Sequence, residues 1–311
     1  MRFIIILLVM VISNECIAQQ PVQSGACIAL LRKVLHEREE WVKVHAAEYL
    51  LWAGYPEGVR EVFLNEAKQF ETKPQYRIGI WRVLVQATDN ESEKLVWLNK
   101  VKEAFLNENG PDRIHAAETL AKLRISMFTE APEITGRALA SGSQALALYT
   151  FWSTAFDSAK QREIVKNELV KNLTPLSGSD EAKKSISAYA LRQLGDLNEH
   201  QWRQLADEAL QEVETSTARV NMLGVAWSTA VDPADPKLPL IKAALLKYHL
   251  AKTKGERSEM AMALAAKGNG EDLSVLTEMF ENKHPLGDAP SDDDVRAAAA
   301  YAILKIRQRG R

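Results

Sequence analysis

Two stretches of the sequence share one motif and decide the fold. Residues 111–123 read PDRIHAAETLAKL and residues 42–51 read VKVHAAEYLL, so each contains the tetrapeptide His-Ala-Ala-Glu. The two histidines, His45 and His115, are 70 residues apart. A second marker keeps nearly the same step, because three tryptophans in similar local contexts follow one another at intervals of 71 and 75 residues: Trp81, Trp152 and Trp227. Two independent markers with one period predict a tandem repeat.

The repeated unit is predicted to be helical. Apolar residues recur at three- and four-residue spacing, which predicts helices over, among others, residues 91–106, 132–139 and 181–194. Strict apolar-polar alternation never persists beyond a few residues. Stretches rich in glycine, proline and asparagine separate the helical segments, for example residues 107–111. The last helix is predicted over Asp294–Gln308, with the acidic run Asp292–Asp294 at its N-terminus.

Successive helices are expected to pair into hairpins and to stack. A two-helix unit cannot bury its apolar face alone, and a neighbouring unit supplies the missing half of the core. Hairpins spaced by about 35 residues would divide the 70-residue marker period into two units. We therefore predict an all-α right-handed superhelix, an α-solenoid of about seven helical hairpins, over residues 19–311 as a single repeat domain.

One segment resembles a known repeat family. Asp294–Leu304, DVRAAAAYAIL, resembles the D-V-R-x-A-A-A-x-A-L signature of HEAT-like repeats of the phycobilisome-lyase type, and the HAAE unit at residues 111–120 resembles it more loosely. Over residues 26–309 the chain is similar to HEAT-repeat solenoids, which implies a HEAT/armadillo-like fold. More faintly, VKVHAAEYLL, YRIGIWRVL and DRIHAAETLAKL resemble a helical domain of exported bacterial proteins that is sometimes attached to sodium-solute symporters.

The first residues have the layout of a secretory signal peptide. A positive charge at Arg2 precedes the apolar run Ile4–Ile12, and the small residue Ala18 follows a polar stretch. Nine apolar residues span only about 14 Å of helix, whereas a bilayer core is about 30 Å thick. We expect residues 1–18 to be removed and the mature chain to be exported, to the periplasm of a Gram-negative bacterium, without membrane insertion. A lipoprotein and an uncleaved anchor are the less favoured alternatives.

The charge balance bears on the kind of partner, and the cysteine count bears on how the chain is stabilised. The chain has 39 basic and 41 acidic residues, a net charge of -2, so nothing favours nucleic acid as a partner. After cleavage only Cys27 remains, and one cysteine cannot form an internal disulfide. Stability is therefore expected to come from packing.

The two HAAE motifs are the main candidates for chemistry. Each places a histidine and a glutamate three residues apart, on one face of a helix. Two such pairs would suit a metal or acid-base site if they met, but neighbouring helices pack 8–10 Å apart, so two units of an open stack would separate them by about 16–20 Å. No metal, cofactor or catalytic residue is therefore assigned. The alternatives left open are a structural role, in which each glutamate meets a neighbouring arginine, and a ligand groove.

The groove hypothesis adds arginines near the HAAE helices and four aromatic residues beside them, since these side chains bind acidic groups or stack on sugar rings. The aromatic residues are Trp41, Trp52, Tyr76 and Trp81. The candidate ligand- or partner-binding residues are His45, Glu48, Arg77, Trp81, Arg82, Arg113, His115 and Glu118.

Three functions follow from these patterns. The first is an exported, non-enzymatic HEAT-like scaffold that binds a protein or peptide in its concave groove. The second is a carbohydrate-binding protein or a sugar-active enzyme built as an α/α toroid, in which closure of the ring would bring the HAAE motifs to one pocket. The third is an accessory domain of a sodium-solute symporter system.

Overall fold

The computed structural model describes residues 22–174 and 180–310, so the predicted signal peptide lies outside the described residues. The described residues form sixteen α-helices, a few short 3-10 turns and no β-strand, which confirms the all-α prediction. The helices are α1 (Ser24–Glu37), α2 (Glu40–Ala53), α3 (Val59–Gln69), α4 (Tyr76–Ala87), α5 (Glu91–Leu106), α6 (Arg113–Lys122), α7 (Pro132–Leu139), α8 (Gln144–Thr154), α9 (Ala159–Lys171), α10 (Glu181–Leu194), α11 (Glu199–Gln211), α12 (Arg219–Ser228), α13 (Lys237–Leu246), α14 (Lys254–Lys267), α15 (Leu273–Phe280) and α16 (Ala289–Arg309).

Local sequence signals account for many helix ends. Asn90 caps α5 by accepting a hydrogen bond from the backbone N–H of Glu93, and Asp180 caps α10 in the same way. Pro132 begins α7, where its missing N–H costs nothing. These three helices have the bounds that the sequence pattern predicts.

The last helix is longer than predicted. It begins at Ala289, and its cap is Asp288, which accepts a hydrogen bond from Ser291 N at 2.8 Å. The prediction that the run Asp292–Asp294 caps this helix is therefore wrong. Asp293 and Asp294 lie inside α16 and are buried.

The helices stack as hairpins in two layers. Each even-numbered helix packs against the next even-numbered one, from α2 through to α16, and the odd-numbered helices cover them from outside. This arrangement confirms the predicted stack of helical hairpins, with eight pairs among the described residues rather than about seven.

The two ends of the stack meet. Helix α16 packs against α1 and α2 as well as against α14 and α15, so the even-numbered helices close into an inner ring. Four contacts define this seam: Arg38 Nε donates to Asp293 at 2.7 Å, His45 Nδ1 lies 2.8 Å from Asp294 Oδ1, Gln308 Nε2 donates to Ala53 O at 2.8 Å, and the rings of Tyr49 and Tyr301 stack at 5.1 Å.

The composition of α16 suits this central position. Residues 297–300 are four consecutive alanines, all fully buried, and small side chains let several helices approach one backbone closely. The segment with the strongest repeat signature therefore forms the joint of the ring.

We predict that Asp294→Asn weakens the seam. Asp294 is buried and lies near both His45 and Lys254, at 2.8 and 3.4 Å. His45 and Lys254 are partly exposed, so water can hydrate them once the charge of Asp294 is removed. The free energy of unfolding, measured by urea denaturation, should therefore fall by about 1–2 kcal/mol. Asp207→Asn, which affects a more exposed pair with Lys237, is the control. Equal stabilities for the two variants would contradict the role of Asp294.

Candidate functional site

The inner helices all run in the same direction, because each is preceded by an outer helix that returns the chain. Their C-terminal ends therefore gather at one opening of the ring. We call this opening the mouth and define it by the residues that line two adjoining cavities there.

The first cavity has a volume of about 160 Å³. It is lined by the C-terminal parts of α2, α4, α6, α8 and α10 together with the residues just beyond α6 and α8. Its aromatic lining is Trp52, Trp152, Phe156 and Tyr189, and its polar lining is Glu48, Gln86, Lys122, Arg124 and Gln193.

The second cavity, of about 330 Å³, lies beside the first. Helices α14 and α16 supply most of its wall, through Met262, Ala265, Ala266, Tyr301, Lys305 and Arg309, and α10 supplies Arg192. Trp52 and Gln193 line both cavities. Closure of the ring is what brings α16 beside α2 and so creates this second space.

Trp52 forms a fixed aromatic surface between the cavities. Its indole Nε1–H donates to Gln86 Oε1 at 2.9 Å, and the rings of Tyr49 and Tyr301 each lie 6.0 Å away in edge-on geometry. Trp52 nevertheless keeps 40% of its surface exposed. A large aromatic side chain that is held in place and left open to the outside is available to a ligand.

A buried ionic network lies beneath the first cavity. Arg82 binds Glu48 through two hydrogen bonds of 2.7 and 3.0 Å and also reaches Thr119 at 3.3 Å. Gln86 donates to the same carboxylate at 3.0 Å, and Lys122 pairs with Glu118 at 2.7 Å. The network ties together α2, α4 and α6.

Both HAAE glutamates are held as anions. Burial opposes ionisation, but Arg82, Lys122 and Gln86 together lower the pKa of Glu48. For Glu118, burial is likewise outweighed, and Lys122, His115 and Arg82 lower its pKa. Burial also disfavours the charged form of Arg82, yet the two glutamates raise its pKa. Carboxylates with depressed pKa values and occupied oxygens are poor proton donors or bases at neutral pH.

The two HAAE helices are joined by shared contacts. Trp41, one turn before His45, has its ring 5.4 Å from the ring of His115, and both glutamates act on Arg82. Arg82 donates to Glu48 at 2.7 Å and to Thr119, the neighbour of Glu118, at 3.3 Å, so both motifs lie around one guanidinium. Within the described ranges, no group of three or more His, Cys, Asp or Glu side chains is placed to hold a metal ion.

The other candidates lie away from the mouth. His45 belongs to the seam, and His115 lies against Trp41 and 3.9 Å from Glu118. Arg77 Nε donates to Asp112 at 2.9 Å, and its guanidinium lies over the Trp81 ring at 5.5 Å.

Arg113 also has a structural environment. Its Nε donates to Phe105 O at 3.1 Å, and its guanidinium lies over the ring of Phe105 at 5.6 Å. Of the eight candidates, Glu48 lines the first cavity, and Arg82 and Glu118 belong to the buried ionic network beneath it.

Arg124 is a site residue that sequence reasoning missed. It follows α6 with a φ of 61°, in the left-handed region, while Ile125 N donates to Leu120 O at 2.9 Å in the closing turn. Glycine normally occupies this position, and a side chain there costs roughly 1 kcal/mol. A cation near a helix C-terminus gains about 0.3–1 kcal/mol, but Lys122 already lies in the last turn of α6. Local structure alone therefore does not explain an arginine at this position.

No family model, curated protein or solved structure matches this chain. Among the described helices, none combines the length and apolar character needed to cross a membrane. We therefore infer function from the geometry of the mouth.

The Glu48–Arg82 pair is predicted to be a major stabilising contact. Glu48→Gln leaves a buried guanidinium without its charged partner, so the free energy of unfolding should fall by about 3 kcal/mol or more in urea denaturation. Glu57→Gln breaks the exposed pair with Arg32 and serves as the matched control, with an expected change below about 0.5 kcal/mol. Equal effects of the two substitutions would disprove this role.

Stability should also depend on pH through Glu118. Its pKa is lower in the folded chain than the value of about 4.3 expected for an unfolded one, so the folded state releases its proton more readily. The resulting stabilisation is present above that unfolded value and is lost as the pH falls towards the folded pKa. Urea titrations between pH 3 and pH 6, about the range where an unfolded glutamate titrates, should show a smaller acid-side loss for Glu118→Gln than for the unsubstituted protein. An unchanged slope would contradict the assignment.

Proposed function

We propose that this chain is an exported, non-enzymatic binding protein on a HEAT-like repeat scaffold, and that its ligand is a sugar or short oligosaccharide bound at the mouth. The observation that carries the proposal is Trp52, a fixed and partly exposed indole that lines two adjoining cavities. Ligand sites commonly combine aromatic walls with a few polar groups that set orientation. The mouth has this composition.

A sugar ring matches the chemistry of the lining. Its C–H faces pack on flat aromatic surfaces, and its hydroxyl groups need both hydrogen-bond donors and acceptors. Gln193 lines both cavities and offers an amide that makes no hydrogen bond within the described residues. One amide provides a carbonyl acceptor and two N–H donors, which suits hydroxyl groups on neighbouring rings.

The state of the HAAE glutamates supports binding rather than catalysis. A sugar-active enzyme needs one carboxyl group that keeps its proton at working pH and a second that is free to act as base or nucleophile. The pKa values of Glu48 and Glu118 are both lowered, and both carboxylates are occupied by cations. We therefore assign the pair to the support of the cavity.

A protein or peptide partner is the second candidate function. Side chains inside the ring contact one another, as Lys122 does the ring of Tyr189 at 5.3 Å and Arg192 does Glu259 at 2.9 Å. Such a partner would therefore bind on the outside rather than in a concave groove. Leu95 and Val96 of the outer helix α5 favour this candidate, because they are adjacent and each is about half exposed. Replacing both with aspartate should then abolish partner capture and leave sugar binding unchanged. An accessory role beside a symporter stays a prediction from the sequence resemblance.

The sugar proposal is tested by calorimetric titration with a panel of neutral and acidic mono- and disaccharides. Trp52→Ala should weaken binding of the best ligand by about tenfold or more, since it removes the stacking surface. Phe128→Ala, which removes an exposed aromatic ring between α6 and α7, is the control and should bind normally. Normal binding by Trp52→Ala, or no binding by the unsubstituted protein, would overturn the proposal.

A further inference from the structure

Two cationic side chains at the mouth have no partner among the described residues. Arg124 lines the first cavity and Lys305 lines the second, and neither side chain makes a hydrogen bond or ion pair with residues 22–174 or 180–310. Other cations nearby are occupied: Arg309 donates to Gly268 O at 2.8 Å, and Arg192 donates to Glu259 at 2.9 Å. Arg124 and Lys305 therefore remain available to a ligand, one in each cavity.

The charge balance of the lining favours an anion. Among the described residues that line the two cavities, Glu48 is the single acid, and Arg82 already holds its carboxylate through two hydrogen bonds. The helix C-termini at the mouth add partial negative charge, which accounts for cations in this region generally. They do not account for the left-handed backbone at Arg124, because Lys122 already serves the end of α6.

We propose that the ligand of the mouth is an acidic oligosaccharide made of uronic acid units. This inference rests on the proposed function and specifies its ligand class. Each ring of such a chain carries one carboxylate, so neighbouring rings present carboxylates at regular intervals. Trp52 lines both cavities, so a disaccharide packed on its indole would present one carboxylate to Arg124 in the first cavity and the other to Lys305 in the second. Guanidinium groups bind carboxylates through two parallel hydrogen bonds.

The experiment compares digalacturonate with its dimethyl ester by calorimetry on the full mature chain. The two probes share their rings and hydroxyl groups and differ only in charge. We expect the acid to bind at least about tenfold more tightly than the ester, with an advantage that shrinks as salt is added. Arg124→Gln and Lys305→Gln should each bring the ratio of acid to ester affinity towards one.

Arg124→Gly separates a binding role from a structural one. Glycine relieves the left-handed backbone, so this variant should melt at the same or a higher temperature than the unsubstituted protein while it loses preference for the acid. A clear drop in melting temperature would identify Arg124 as a structural residue and overturn the inference.

The remaining outcomes distinguish this inference from the proposed function. If the ester binds the unsubstituted protein as tightly as the acid, the sugar site stands and its specificity for anions is disproved. If neither probe binds, the sugar site and the inference both fail.

Discussion

The packing of α16 against α1 and α2 is the contact on which the rest of the structure depends. A stack of hairpins gains most of its stability between neighbours, and its first and last units each leave one apolar face uncovered. Here those two faces cover each other, with the alanines of α16 at the centre and the stacked rings of Tyr49 and Tyr301 beside them. The chain therefore needs no polar capping repeat at either end.

Closure also determines what the inward faces contain. The surface that would form a groove in an open stack becomes interior, so charged side chains there need partners. The network of Glu48, Arg82, Glu118 and Lys122 meets that need for α2, α4 and α6. The pairing is less complete between α10 and α14, where burial raises the pKa of Glu259 although Arg192 donates to it.

The fold class was accessible from the sequence because it depends on local signals. Apolar periodicity and turn residues predict where the helices lie, and for α5, α7 and α10 they predict the bounds. The sequence predicts the wrong cap for α16, because Asp288 and the run at positions 292–294 carry the same kind of side chain. Only packing against α1 and α2 decides which of these carboxylates are buried.

Ring closure joins residues about 250 positions apart, as in the 249-residue separation of His45 and Asp294. A repeat of about 70 residues carries no information about contacts at that separation. One alternative that the HAAE motifs leave open, a glutamate paired with a neighbouring arginine, is found at Glu48 and Arg82. The motifs do not indicate the mouth, because its residues come from both halves of the chain. The sequence marks Arg124 as unusual in one respect, because an arginine and not a glycine follows α6.

The most direct test of this account is a spin-label distance across the seam. Labels on Glu39→Cys and Ala289→Cys, with Cys16 replaced by serine, would lie near the N-termini of α2 and α16, which border one cavity. The native Cys27 should not compete for the label, because burial raises its pKa to about 12. A closed ring gives one narrow distribution at short distance. An open stack, with seven steps of 8–10 Å between its end hairpins, would place the labels about 56–70 Å apart, and that result would contradict the account.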